Sequence, residues 1–115
     1  MPDDSFREFV LDQLSTLPDL RAKAMFGAHG IYSGEHFFGI LDEGQLFFKT
    51  DETSQKEYTA RGMGPFTYEM KGKVMSMAYH EVPPEILEQP QELTMWARKA
   101  IALAAAKKKA PKRAK

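Results

Sequence analysis

The 115-residue sequence contains no cysteine. This absence excludes disulfide bonds, thiolate metal sites and a cysteine nucleophile, and it is typical of a reducing compartment. The chain also lacks any stretch near the roughly 20 apolar residues that a membrane-spanning helix needs. Its acidic start, Met1 to Ser5, has neither the basic flank nor the apolar run of a secretory signal. We therefore expect a cytoplasmic protein that does not associate with membranes.

Charge is balanced overall but unevenly placed along the chain. Residues 1–106 contain all 16 acidic and ten of the 16 basic residues, a formal charge of −6, and residues 107–115 carry +6. We predict a folded domain over residues 1–106 and a basic, disordered tail over residues 107–115. An acidic body does not suit nucleic acid, whereas the tail could contact a phosphate backbone without reading its sequence. The tail cations are Lys107, Lys108, Lys109, Lys112, Arg113 and Lys115.

The N-terminal half of the sequence predicts a helix followed by strands. Apolar residues recur at helical spacing from Phe6 to Leu17, after capping residues at Asp3 to Ser5, and Pro18 ends the pattern. Residues 22–26 have the pattern of a first strand, and Gly27 and Gly30 interrupt it or bend the chain. Three aromatic-rich segments follow, at residues 29–32, 36–41 and 45–49, and short glycine turns join them into an antiparallel meander.

The C-terminal half predicts two further strands between helices. Residues 50–61 suit a helix capped by Thr53 or Ser54, and the strands cover residues 66–70 and 73–80. A helical turn at residues 85–87 and a long helix over residues 89–106 complete the chain. With the three aromatic-rich segments taken as three strands, the order of elements is α-β-β-β-α-β-β-α. This order predicts a two-layer α+β domain with a five-stranded antiparallel sheet.

Residues that could carry chemistry are sparse. His29, His36 and His80 match no metal-ligand spacing, although His29 and His36 flank one hairpin and could be cross-strand neighbours. Ser76 and His80 lie on one strand about 13 Å apart, which is too far for a nucleophile and its base. A glycine-x-serine-x-glycine motif is also missing. We therefore predict no catalytic residue, no metal and no cofactor, and a protein that is not an enzyme.

The aromatic residues of the strands are the main candidate for a binding surface. The pairs Phe37-Phe38 and Phe47-Phe48 place one ring on each face of the sheet, and helices cover only one face. Either the C-terminal helix or loops wrap round the other face, or a second copy or a partner protein covers it. The residues predicted for a partner or dimer surface are Tyr32, Phe38, Phe47 and Tyr79.

Short motifs are spread over about residues 6–106. Each motif alone is weak, but their order and spacing together form a family signature. The residues that carry it are Met25, Phe26, Gly27, Gly30, Tyr32, Lys49, Pro65, Phe66, Tyr68, Tyr79, Pro83 and Trp96. In these motifs the chain resembles the N-terminal domain of TfoX, a family of bacterial competence regulators also called Sxy. The resemblance implies a five-stranded α+β fold similar to the secretion-chaperone-like architecture, and a non-enzymatic role. Members similar to the full-length regulator carry a second, helical domain, and we expect a stand-alone member without it.

The sequence leaves three functional hypotheses. The first is a regulatory or adaptor domain that acts by protein–protein contact, as a homodimer or with a partner protein, in transcriptional or competence-type regulation. The second is weak, sequence-independent binding of nucleic acid through the basic tail. The third is binding of a small ligand by the apolar sheet face and the glycine bend at residues 27–30.

Overall fold

The computed structural model describes residues 2–25, 28–42 and 44–109, which form an α+β domain. The helices of these described residues are α1 (Pro2–Gln13), α2 (Gln55–Thr59), α3 (Pro84–Leu87) and α4 (Pro90–Lys109). The strands are β1 (Leu20–Met25), β2 (Ala28–Ser33), β3 (His36–Asp42), β4 (Gln45–Lys49), β5 (Pro65–Met70) and β6 (Lys73–Glu81). Among the described helices, none combines the length and apolar character needed to traverse a lipid bilayer.

The strands form one antiparallel sheet in the order β1-β2-β3-β4-β6-β5. Neighbours in the sequence pair as hairpins, except that β4 pairs with β6 and leaves β5 at the edge. The β5–β6 hairpin turns on two residues, Lys71 and Gly72, which both have positive φ angles of 54° and 80°. Two such residues in succession form the type I′ turn, whose twist matches that of the paired strands.

The sheet has six strands, and the predicted count of five is wrong. β1 pairs with β2 along its whole length, so residues 20–25 are a strand of their own. Gly30, which was expected to interrupt the strand pattern, lies inside β2 opposite Lys23. The pattern of β1 is weak because alanines replace the aromatic residues that mark the other strands.

The pairing of β2 with β3 contains a β-bulge at Phe38. Ile31 pairs with Gly39, whereas the next residue, Tyr32, pairs with Phe37, so Phe38 is an extra residue on its strand. Because side chains alternate between the faces of a strand, an extra residue shifts the alternation by one position. Before the bulge, odd-numbered residues of β3 face one side of the sheet, and after it they face the other side.

The bulge decides which rings enter which core. Phe38 packs with Leu41 under the helices, whereas Phe37 and Ile40 belong to the opposite face. A regular strand would have placed Phe38 and Ile40 on one face. The prediction of one ring on each face is confirmed for both phenylalanine pairs, since Phe47 and Phe48 also separate.

The four helices cover one face of the sheet and form the larger core. Trp96 of α4 packs edge-on against Tyr58 of α2, with 4.8 Å between ring centroids, and its indole N–H donates to Glu92 at 3.2 Å. Arg61 lies over the same indole, 5.3 Å from its centroid. The buried residues of this core are Val10, Leu14, Leu17, Ile31, Phe38, Leu41, Leu46, Phe48, Tyr58, Val82, Ile86, Leu93, Trp96, Ala97 and Ala100.

The N-terminus of α2 differs from the prediction in its side-chain hydrogen bonds. One carboxylate oxygen of Asp51 accepts the backbone N–H groups of Thr53 at 3.1 Å and Ser54 at 2.7 Å. The Ser54 hydroxyl accepts the backbone N–H of Asp51 at 3.0 Å in return. The backbone N–H of Ser54 holds the pKa of Asp51 below its ordinary value. Ser54 is therefore the N-cap residue, as predicted, but its side chain makes no cap hydrogen bond to the helix, and Asp51 holds the turn before it. The helix is shorter than predicted.

The ends of the first and last helices also shift. α1 ends at Gln13 rather than Leu17, although Leu17 remains in the core. α4 continues past the predicted boundary at Ala106 to Lys109, because alanine and lysine are strong helix formers and cations suit a helix C-terminus. The backbone of Lys107, Lys108 and Lys109 is thus helical. The remaining tail cations, Lys112, Arg113 and Lys115, lie outside the described residues, as do Phe26 and Gly27 of the family signature.

Candidate functional site

The candidate site is the sheet face opposite the helices, called the open face from here on. Its buried cluster consists of Ala28, Ile40, Phe47, Phe66 and Tyr79, with Phe37 and Met77 packed against it. All of these residues belong to strands, so within the described part of the chain no helix contributes to the cluster. The cluster must therefore bury itself.

The rings of the open face bury one another by leaning across strands. Phe47 of β4 and Phe66 of β5 flank β6, and their ring centroids are 5.1 Å apart. Phe37 of β3 and Tyr79 of β6 likewise flank β4, and their centroids are 5.4 Å apart. Next-but-one strands lie about 10 Å apart, so the rings lean toward each other. As a result, Phe47 is only 6% exposed and Tyr79 only 3%.

The accessible part of the open face is a stacked aromatic pair. The rings of Tyr32 and Phe37 are 5.1 Å apart at an angle of 26°, and both side chains are half-buried. Behind them, the Tyr79 hydroxyl donates to the backbone carbonyl of Phe37 at 3.4 Å. Burial, together with nearby Tyr32, raises the pKa of Tyr79, so this hydroxyl keeps its proton. The pair thus rests on a fixed aromatic floor.

Cations surround this aromatic pair. The Lys23 ammonium lies 5.3 Å from the ring centroid of Tyr32, and the Lys49 ammonium lies 5.1 Å from that of Tyr79. Both distances suit a cation–π contact. Arg21 pairs with Tyr32 in the β1–β2 ladder and so shares its face, and it donates to the Gly34 carbonyl at 2.7 Å. We call Arg21, Lys23 and Lys49, with the rings beside them, the cationic end of the open face.

The other end of the open face is acidic. A cavity of about 340 Å³ opens there, where β5 begins and β6 ends. The residues that line it are Asp42, Gln45, Phe47, Gly64, Pro65, Phe66, Thr67 and Glu81. The open face therefore carries opposite charges at its two ends, with the aromatic cluster between them.

The residues predicted for a partner surface do not all share this face. Tyr32, Phe47 and Tyr79 belong to it, and Tyr32 is the most accessible of them. The prediction for Phe38 is wrong. This residue is 0% exposed and lies in the core under the helices, because the bulge turns it away from Tyr32. Neither a helix nor a loop wraps over the described open face, since its rings cover one another.

Sequence reasoning missed Phe37 and Lys23 as residues of this face. The bulge at Phe38 has no marker in an all-apolar run, so Phe37 and Phe38 read alike. Lys23 had a usable signal, because alternation with Ala22 and Ala24 places it on the face opposite to theirs.

The three histidines are separate, and the expected cross-strand pair does not form. His29 lies opposite Leu41, whereas His36 lies at the far end of the same hairpin. The Arg7 guanidinium of α1 bonds to His29 at 3.1 Å, and Thr50 bonds to His80 at 2.9 Å in the helix-side core. Over the described ranges, no group of three histidine or carboxylate side chains is placed to hold a metal.

His80 should make the fold sensitive to acid. Burial lowers its pKa below the ordinary value of 6.5, so the folded state favours the neutral ring. This stabilisation is complete above the pKa that His80 has in the unfolded chain. It is lost as the pH falls from that value toward the lower pKa of the folded state, because the unfolded chain then binds a proton that the folded protein does not. We expect the free energy of unfolding to fall more steeply for the natural chain than for His80→Gln between about pH 7.5 and about pH 5.5. Parallel slopes in urea titrations would contradict this role.

A comparison with models of known protein families finds a match for this chain. The family model described as the TfoX N-terminal domain matches residues 12–104. This range begins within α1, includes all six described strands and extends into α4. A search of curated proteins finds no match. Because the family model covers most of the sequence, the chain belongs to the TfoX N-terminal domain family.

Proposed function

We propose that this chain is a non-enzymatic regulatory or adaptor domain that acts by protein–protein contact, in transcriptional or competence-type regulation. The observation that carries the proposal is the accessible Tyr32–Phe37 stack within the cationic end of the open face. Tyrosine and arginine are among the residues that contribute most to binding at protein interfaces, and phenylalanine is enriched there. The buried floor under the stack keeps it in place for a partner.

The charges at this end favour an acidic partner segment. Arg21 and Lys23 are exposed, and Lys49 is half-buried, whereas residues 1–106 as a whole carry −6. A cationic patch on an acidic body attracts a complementary acidic surface and repels a basic one. An acidic segment with one apolar side chain would place that side chain on the stack and its carboxylates on the cations.

The buried polar groups support a non-catalytic role. Thr50 and His80 form a hydroxyl–imidazole pair at 2.9 Å, but both residues are buried, and the ring centroid of the imidazole lies 5.9 Å from that of Tyr58. A substrate could not reach this hydroxyl without opening the core. The buried Ser33 hydroxyl donates to the Pro18 carbonyl at 2.7 Å and thereby ties the start of β1 to the sheet.

Charge reversal of Lys23 tests the proposal. The immobilised natural chain should retain a protein from lysate of its source cells at moderate salt after nuclease treatment. Lys23→Glu should retain at least about tenfold less of the same protein, because it repels an acidic segment. Lys56→Glu is the matched control, since Lys56 is also exposed but lies on α2, and it should retain the natural amount. Equal retention by all three chains would contradict the proposed surface.

A second candidate function rests on the charge of residues 107–115. Six cations in nine residues can displace counterions from a nucleic-acid backbone without reading its sequence. Retention that disappears with nuclease or with moderate salt, and that Lys23→Glu leaves unchanged, would favour this candidate over the adaptor function.

A further inference from the structure

The β5–β6 hairpin extends beyond the rest of the sheet. β6 pairs with β4 only at residues 79–81, and the last bond between them runs from the Thr50 N–H to the Ala78 carbonyl at 2.8 Å. Residues 73–76 pair with β5 alone among the described strands. Val74 is 74% exposed and Met75 42% exposed, on opposite faces of the strand. The hairpin thus forms a two-stranded ribbon with apolar side chains in solvent.

The ribbon has a backbone edge on the side where β4 has ended. Met70 and Lys73 close the two-residue turn, and such a closing pair exchanges its hydrogen bonds. Alternate residues then direct N–H and C=O groups to the other side. These residues are Val74 and Ser76, in phase with Ala78, whose carbonyl already bonds across to Thr50. A strand edge of this kind is a template for another strand.

We propose that this edge of β6 pairs antiparallel with the same edge of a second copy of this chain, about a two-fold axis at Met75. Val74 of each copy then lies opposite Ser76 of the other, and these pairs exchange hydrogen bonds. The two Met75 residues face each other in a non-hydrogen-bonded pair, where side chains are closest. The interface is symmetric, as expected for a dimer, and it does not use the Tyr32–Phe37 stack.

The charges on the strands favour this edge of β6 for pairing with a second copy, over the edges formed by the outer strands β1 and β5. Antiparallel self-pairing of β1 would set Arg21 and Lys23 of one copy against those of the other. β5 begins with Pro65, which has no N–H, and carries Glu69 close to any axis at its centre. On β6 the nearest charge is Lys73, and the axis at Met75 separates the two lysines by about 13 Å.

The neighbouring surface complements the ribbon tip. A cavity of about 490 Å³ lies beside Ala78, and Asp51, Glu52 and Leu103 are among the residues that line it, together with Lys49. In the proposed register, Lys73 of the second copy lies opposite Met77, so its turn reaches this cavity. Lys71 in the turn of each tip is therefore the cation next to the carboxylates of Asp51 and Glu52 in the other copy, which adds ionic complementarity to the strand pairing.

Sedimentation equilibrium tests the dimer. The natural chain should be dimeric at about 100 μM, where even an interface with a micromolar Kd is occupied. Met75→Lys sets two cations directly opposite each other and should raise the dimer Kd at least about tenfold. Met95→Lys is the control, because Met95 is an exposed methionine on α4, and it should leave the Kd unchanged. Circular dichroism verifies that both variants are folded.

A charge exchange tests the register itself. Glu52→Lys should weaken the dimer by repelling the tip of the second copy, and adding Lys71→Glu to it should restore the natural Kd. A natural chain that stays monomeric at this concentration overturns the proposal. So does a dimer that Met75→Lys leaves intact, since it must use another surface. Because these variants do not touch the cationic end, loss of the dimer with partner retention preserved leaves the proposed function standing.

Discussion

Replacement of Phe38 by alanine is expected to lower the free energy of unfolding by about 3–5 kcal/mol. The side chain is fully buried under the helices, and its ring lies 5.7 Å from that of Phe48. Truncation removes the contacts of the ring and leaves a cavity that the strand and α4 cannot close without moving. Since a domain of this kind is stable by about 5–15 kcal/mol in total, urea unfolding should show a much earlier midpoint.

Phe37→Ala is the matched control for this prediction. The two phenylalanines are adjacent in the sequence, but Phe37 is half-buried on the open face and keeps solvent on one side. Its truncation should therefore cost less than half as much as that of Phe38. An equal or larger loss for Phe37→Ala would show that the bulge does not place Phe38 in the helix-side core.

Gly39→Val is expected to destabilise the protein by about 3 kcal/mol, the upper end of the usual range for overpacked cores. A Cβ atom at this position would lie 3.2 Å from the Phe47 carbonyl oxygen, 3.4 Å from the Phe48 ring and 3.5 Å from Cβ of Ile31. The nearest of these atoms belongs to the backbone of β4, which the sheet holds in place. Valine adds two further methyl groups to this contact, so the ladder beside the bulge must shift.

Gly64→Val provides the comparison for Gly39→Val. Gly64 is exposed, and a Cβ atom there meets nothing within 4 Å. We expect a change within about 0.5 kcal/mol, as for surface substitutions without special contacts. Equal losses for the two valine variants in urea unfolding would mean that the close approach of β3 and β4 at Gly39 is not a constraint on the fold.

Much of the fold could be predicted from local patterns. Turn glycines such as Gly34, the aromatic-rich strands and the stripe of α4 each have short-range signals, and together they identify the α+β class. The helix-side core at Trp96 follows from the same periodicity. The hydrogen bonds of Asp51 were missed because two other capping residues, Thr53 and Ser54, follow it. Strand β1 was left out of the count of five because alanines stand where the other strands have aromatic residues.

The arrangement of the open face depends on contacts that local patterns do not encode. The ring of Phe47 meets Phe66 only because β6 lies between β4 and β5, which is a property of strand order. The bulge at Phe38 depends on the register of β2 against β3, and a run of apolar residues fits either phase. The aromatic residues of the face were therefore predictable as a set, whereas the identity of the accessible pair was not.

The proposed adaptor function depends on the cationic end of the open face, so the most direct test measures binding at that end. The protein retained from lysate should be purified and its Kd determined by calorimetry for the natural chain, Lys23→Glu and Lys56→Glu. The account predicts a Kd at least about tenfold weaker for Lys23→Glu and an unchanged Kd for Lys56→Glu. Equal affinity of the natural chain and Lys23→Glu would contradict it.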